Sequence, residues 1–236
     1  VNLTISELLS IKMKPEFFLI PVIFLVLAGT AFPADPSHEL MNLDMTAAGA
    51  YDSVLKLLDS GASANAYTKD GDRAIFHAVK SGNRDITRLL LERGADPNVS
   101  FDDATGSPLD SAVSGGDPEM VGIMIKGKAA VNYKMRGAQT VLHTACMQKE
   151  SEHASAIITI LLQNGADANA VTHMGITPLM NAVEADNTSA VKILLQYGAD
   201  PRIQNIRGKT ALDLAIDGAK KNEIVELLKS WKKRGK

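Results

Sequence analysis

The sequence predicts an all-α solenoid of about six helix–turn–helix units joined by extended, β-hairpin-like loops. Three observations predict it. Gly61-Ala62-Ser63-Ala64-Asn65 recurs as Gly94-Ala95-Asp96-Pro97-Asn98, Gly165-Ala166-Asp167-Ala168-Asn169 and Gly198-Ala199-Asp200-Pro201, with a worn copy at Lys128-Ala129-Ala130-Val131-Asn132. The alanines stand at 62, 95, 129, 166 and 199, so the steps are 33, 34, 37 and 33, a period that marks stacked units. A second element runs in phase: Thr177-Pro178-Leu179-Met180-Asn181-Ala182 is matched by Ser107 to Ala112, Thr140 to Ala145, Thr210 to Ala215 and, most loosely, Arg73 to Ala78. Finally, the composition is 45% hydrophobic but only 5% aromatic, which suits thin, closely packed helices better than a sandwich or barrel.

The N-terminal residues lie outside this pattern. Lys14 precedes thirteen mostly apolar residues, Phe17 to Gly29, and Gly29-Thr30-Ala31 supplies small residues spaced for signal-peptidase cleavage. An alternative cut follows Ala34. The run is shorter than the ~20 residues of a membrane-spanning helix, so a cleaved signal is expected over an uncleaved anchor. Thr30 stands where a lipidated cysteine would be needed. Residue 1 is valine, which fits a fragment or a start assigned to a non-AUG codon. In the second case Met13 is the expected start and residues 1–12 are a leader. Residues 1–34 therefore read as leader and signal peptide of an exported, bacterial periplasmic or secreted protein, and 35–236 as the repeat domain.

Each repeat makes physical sense. Thr177 can cap a helix through its hydroxyl, and Pro178 suits the first helical position. Leu179 and Ala182 share a face, and the small Ala78, Ala112, Ala145, Ala182 and Ala215 let neighbouring helices approach. A second helix follows, as in Ala190 to Leu195, buried over most of its girth. Gly198 ends it in the left-handed conformation, and the adjoining Asp and Asn favour a turn. The units run over about 38–66, 67–99, 100–133, 134–170, 171–203 and 204–236. The first has a clear second helix at Val54 to Leu58 but no Thr-Pro-Leu before it. The last has Trp231 where glycine is expected. Both ends read as caps, because terminal units need a polar outer face. Unit four is longer by four residues in or near Cys146 to His153, about one extra helical turn.

A period near 33 that carries Thr-Pro-Leu-x-x-Ala and Gly-Ala-Asp-x-Asn resembles the ankyrin-repeat family over residues 38–236. The resemblance implies a scaffold that binds a protein partner through its loop tips and inner helices. The tip residues singled out as partner contacts are Tyr67, Lys69, Phe101, Tyr133, Met135, Arg136, His173, Met174, Ile206 and Arg207. Apolar residues at turn tips are costly unless something covers them, and Tyr and Arg are enriched where interfaces concentrate their energy. Units of this kind place successive tips side by side, so these residues are expected to form one strip on a monomeric scaffold. The expected role is that of an adaptor, an inhibitor or an immunity-type protein. The alternative is an enzyme or enzyme-accessory protein with a site near the unit-four insertion.

Signs of chemistry are weak. Gly208-Lys209-Thr210 resembles the end of a phosphate-binding loop, but Ile203 stands where that motif needs glycine. The histidines show no metal-ligand spacing. His143 fits the repeat as a residue bonding backbone within the stack, and Cys146, three residues on, lacks a third group to orient the histidine. One cysteine permits no internal disulfide, so the fold rests on packing. The formal net charge of −2 gives no general field for nucleic acid. Five positive residues between Lys229 and Lys236 read as a solvated cap that complements the dipole of the last helix. No cofactor, metal, nucleic acid or stable membrane insertion after signal cleavage is expected.

Overall fold

The computed structural model describes residues 35–69, 71–100 and 106–231. Residues 1–34, read above as leader and signal peptide, Phe101 and the end of the basic tail lie outside them. Among the described residues the chain forms twelve α-helices and no strand. The helices pair as six units: α1 (Pro36–Asn42) with α2 (Ala50–Asp59), α3 (Ala74–Lys80) with α4 (Arg84–Glu92), and α5 (Pro108–Ser114) with α6 (Pro118–Lys126). Then come α7 (Val141–Cys146) with α8 (Glu152–Gln163), α9 (Pro178–Glu184) with α10 (Thr188–Gln196), and α11 (Ala211–Asp217) with α12 (Asn222–Ser230). From α3 onward each first helix packs on the next first helix, and each second helix on the next second helix. The result is two helical layers with the core between and within them.

Local chemistry sets the helix starts. Ser107, Thr177 and Thr210 each accept the backbone N–H three residues on, at 3.2 Å. Pro108 and Pro178 occupy the first turn, where no N–H is needed. The second helices have their own caps, because Asn83, Asp117, Ser151 and Asn187 accept from Ile86, Met120, Ala154 and Ala190. The alanines expected between first helices are all buried. Leu90, Met124, Leu161 and Leu194 recur at one position of the second helices, each fully buried and worth about 1.5–3 kcal/mol of transfer free energy.

The asparagine of the Gly-Ala-Asp-x-Asn element does more than favour a turn. Asn132 Nδ2 donates to Gly165 O at 2.8 Å, and its Oδ1 accepts from Asp167 N–H at 2.9 Å. Asn65, Asn98 and Asn169 repeat the same two bonds to the following unit. Four side chains thus staple each loop to the next. In the last such loop Arg202 takes that position, pairs with Asp200 and lies over the Trp231 ring. Trp231 therefore stacks on a cation where a glycine was expected to turn the chain.

The unit-four insertion goes mostly into α8, close to the one extra turn expected from the sequence. Helix α8 has 12 residues where α10 has 9, while α7 has 6 where α9 has 7. The remaining two extra residues lengthen the connector 147–151 relative to 185–187. Ser151 caps α8 and so sets where the connector ends. That connector is tied down. Glu150 accepts from Ser189 N–H and Oγ at 2.9 and 2.6 Å and meets Lys221 Nζ at 3.2 Å. The Ser189 hydroxyl and amide, then Lys221, hold its carboxyl below the usual glutamate range, against the opposing effect of burial. Gln148 reaches back to Val113 O. One short segment of unit four therefore grips units three, five and six.

Candidate functional site

The loops before the first helices are tight turns, not strand ladders; a single isolated bridge, Tyr67 to Arg73, occurs among the described residues. In unit five Thr172 N–H donates to Ile176 O at 3.0 Å, and Gly175 N–H to Thr172 O at 2.9 Å. Gly175 has φ 69°, the left-handed residue that closes such a turn. Asn205, Lys209 and Gly208 repeat the pattern in unit six, and Thr68, Asp72 and Gly71 in unit two. In unit four the glycine comes one residue early. Gly137 and Ala138 both have positive φ there, 75° and 62°, and a left-handed Ala138 costs about 1–2 kcal/mol.

Backbone bonds join successive tips. His173 N–H donates to Gly137 O at 2.8 Å, and Ile206 N–H to Met174 O at 3.1 Å. A Cβ on Gly175 would stand 2.8 Å from Asn205 Cα, so this contact needs glycine for close approach as well as for φ. Arg136, His173, Met174, Ile206 and Arg207 are thereby held in one row and all are exposed. Met174 is 52% exposed and Ile206 63%.

The other tip residues stand differently. Tyr67, 66% exposed, and Lys69 belong to the loop before α3; the Arg73 guanidinium covers the Tyr67 ring at 4.9 Å. Tyr133 is half-buried, because it takes the inward position that the buried Ala66 and Ala170 hold in their own loops. Met135 is half-buried, its sulfur lying 3.1 Å from where a Gly106 Cβ would be. Phe101 lies outside the described residues.

Below the tips of units five and six lies a cleft of about 430 Å³. Met174, Ile176, Met180, Ile206 and Leu214 give it an apolar lining. Arg207 and Lys209 stand on its tip side, Glu184 and Asp217 on its helix side. Lys209 Nζ pairs with Asp217 at 3.3 Å. The helix residues of this cleft were not singled out from sequence, where the inner helices were expected to meet a partner but only tip residues were named. Their signal was present: Asn181 and Leu214, like Glu184 and Asp217, are 33 residues apart and hold equivalent positions.

Seven arginines fall among the described residues. Arg84, Arg88, Arg93 and Arg202 form ion pairs, and Arg73 lies over Tyr67 and donates to Asn65 O. Among the described residues the guanidinium groups of Arg136 and Arg207 meet neither an acceptor nor a ring. Both lie in the tip row.

The unit-four residues weighed as an alternative site are committed to packing. Cys146 is fully buried, and burial pushes its thiol above the usual range, away from a nucleophilic thiolate. His143 Nδ1 meets Thr140 N–H and Oγ1 at 3.2 and 2.9 Å, and Nε2 meets Ile176 O at 3.1 Å. That network assigns the proton to Nε2, which donates to Ile176 O. Burial holds the imidazole pKa below its ordinary value. Lys209 and Thr210, the phosphate-loop look-alikes, are a partner of Asp217 and the cap of α11.

Comparison with known proteins agrees with this architecture. A family model described as ankyrin repeats (3 copies) matches residues 43–135, 109–205 and 142–234. Human (Homo sapiens) ankyrin repeat and SOCS box protein 16 is 30% identical over 170 residues, covering 70% of this chain and 38% of that protein. Human SH3 and multiple ankyrin repeat domains protein 2 is 30% identical over 182 residues, covering 76% of this chain and 10% of that protein. Mouse (Mus musculus) B-cell lymphoma 3 protein homolog is 32% identical over 130 residues, 53% of this chain and 28% of the relative. The aligned stretches thus span well under half of these relatives. With the period, the paired helices and the stapled loops in place, the chain belongs to the ankyrin-repeat family.

Proposed function

We propose that this chain is an exported scaffold that binds a protein partner along the tips of units four to six, acting as an adaptor, an inhibitor or an immunity-type protein. Ankyrin repeats generally mediate protein–protein interaction, and stacked repeats create extended binding surfaces. The observation that carries the reading is the row Arg136, His173, Met174, Ile206 and Arg207, locked by backbone bonds between units and left uncovered above an apolar cleft. A row fixed before binding loses little freedom when a partner docks, so less of its contact energy is spent on ordering. Export is supported by Lys14, the apolar run and Gly29-Thr30-Ala31, which lie outside the described residues.

The test uses the full chain expressed in a bacterium. N-terminal sequencing of exported material is expected to begin at Phe32 or Asp35; an intact N-terminus in the membrane fraction overturns cleavage. Capture from a periplasmic extract is run with wild type and with a Met174→Ser, Ile206→Ser variant of equal melting temperature. A partner that wild type retains and the variant loses supports the reading. A partner retained equally by both moves the surface elsewhere.

A further inference from the structure

The exposed tip row is not neutral in chemistry. Lys134, Arg136 and Arg207 are exposed on the loops of units four and six, with His173 between them, and none of these side chains forms an ion pair among the described residues. The arginines on the second helix of unit two are used differently. Arg84 makes a two-toothed pair with Asp117 and a third bond to Glu119, and Arg88 bridges Glu119 and Asp85. A chain of net charge −2 therefore keeps local unsatisfied positive charge along one edge. That edge borders the apolar cleft under Met174 and Ile206, whose far rim carries Glu184.

We infer that this edge and cleft take a segment of the partner in which an apolar side chain is flanked on one side by carboxylates. The inference rests on the partner-binding reading above and adds the chemistry of the partner. The apolar side chain enters the cleft, whose ~430 Å³ lies within the ~300–1,000 Å³ range of sites for compact groups. The carboxylates lie over the tips, where Arg207 and Arg136 each offer a planar fork of donors that matches a carboxylate. Glu184 on the helix side repels a segment laid in the reverse sense, so the cleft also sets direction.

The test is selection of short random peptides displayed on phage against the immobilised full chain, followed by fluorescence titration of the enriched sequences. Enrichment of peptides that pair Leu, Ile, Met or Phe with neighbouring Asp or Glu supports the inference. Binding of those peptides is expected to fall about tenfold or more with Arg136→Glu, Arg207→Glu, with unchanged melting temperature, and to weaken as salt rises. Ile206→Ser is expected to weaken it with less effect on the salt dependence. Enrichment of neutral or basic peptides overturns the carboxylate assignment, and purely acidic peptides overturn the apolar anchor. Failure to enrich any sequence overturns recognition of a linear segment. Self-association abolished by Arg207→Glu would make the occupant a second copy of this chain and overturn the inference as well. A periplasmic partner captured through Met174 and Ile206 while any of these failures occurs leaves the scaffold reading standing and removes only the chemistry.

Discussion

Two surfaces of this stack carry similar residues and spend them differently. On the second helices of units two and three, Arg84 and Arg88 face Asp117 and Glu119 at 2.6 to 3.0 Å. On the tips of units four to six, Arg136 and Arg207 face solvent beside exposed Met174 and Ile206. The first surface reads unit against unit: residue 84 meets residue 117 one period away, and the ion pairs are used up in stacking. The second surface has its backbone satisfied by the neighbouring tip and its side chains left over. A repeat protein can therefore build a scaffold and an adhesive edge from one repeated element, because only backbone and cap atoms are needed to hold the tips together.

The comparison is broken most strongly from beneath. Ala182 is fully buried where first helices meet, so Ala182→Leu is expected to overpack the stack and lower stability by about 1–3 kcal/mol. Exposed Lys192, paired with Glu223, is expected to tolerate alanine within about 0.5 kcal/mol. Denaturant melts of the two variants check this, and equal losses would contradict the helix phase. Next in size is the staple. Asn132→Ala removes two bonds to unit four and is expected to cost about 1–2 kcal/mol, at roughly 1 kcal/mol for each bond. Asn132 also joins the segments that lead into the tips of units four and five, so amide exchange at His173 should quicken in the same variant.

Acidification sharpens the comparison further. Burial depresses the folded-state pKa of His143, so the unfolded chain binds a proton that the folded chain resists. Above about pH 6.5, the ordinary value, both states are neutral and nothing is lost. Below it wild type is expected to lose stability faster than His143→Gln, read from melting temperatures at successive pH values; parallel curves would contradict the assignment. Smallest is the self-paired face. Arg88→Ala is expected to change stability by less than about 1 kcal/mol and partner binding not at all.

The sequence made the fold legible because each unit repeats its caps, its small first-helix residue and its turn. Thr177, Pro178, Ala182 and Gly198 could be assigned roles from residue type alone. Three features escaped it. Asn132 was read as a local turn former, since nothing within one unit shows that its amide reaches Gly165 and Asp167 of the next. Tyr133 was grouped with the tips, but extended chain alternates its faces, and a two-residue offset from Met135 puts it where Ala66 and Ala170 are buried. The cleft residues Met180, Glu184 and Asp217 were hidden because a short helix buries one face and bares another, and which face meets a cleft depends on the neighbouring unit. Of the tip row itself, Arg136, His173, Met174, Ile206 and Arg207 were visible as polar or apolar residues where turns bring them to the surface. Their union into one edge needed the bonds between loops.

That edge is tested most directly by titrating the captured partner against wild type, Arg207→Ala and Arg136→Ala, with a melting curve for each protein. The account predicts that one or both variants weaken binding by about 2 kcal/mol or more while the melting temperature stays within error, because neither guanidinium contributes to the stack. Tyr133→Ala, measured alongside, is expected to lower the melting temperature, since its ring is half-buried among the loops. Affinity unchanged in both arginine variants would contradict the claim that the tips of units four to six form the partner surface.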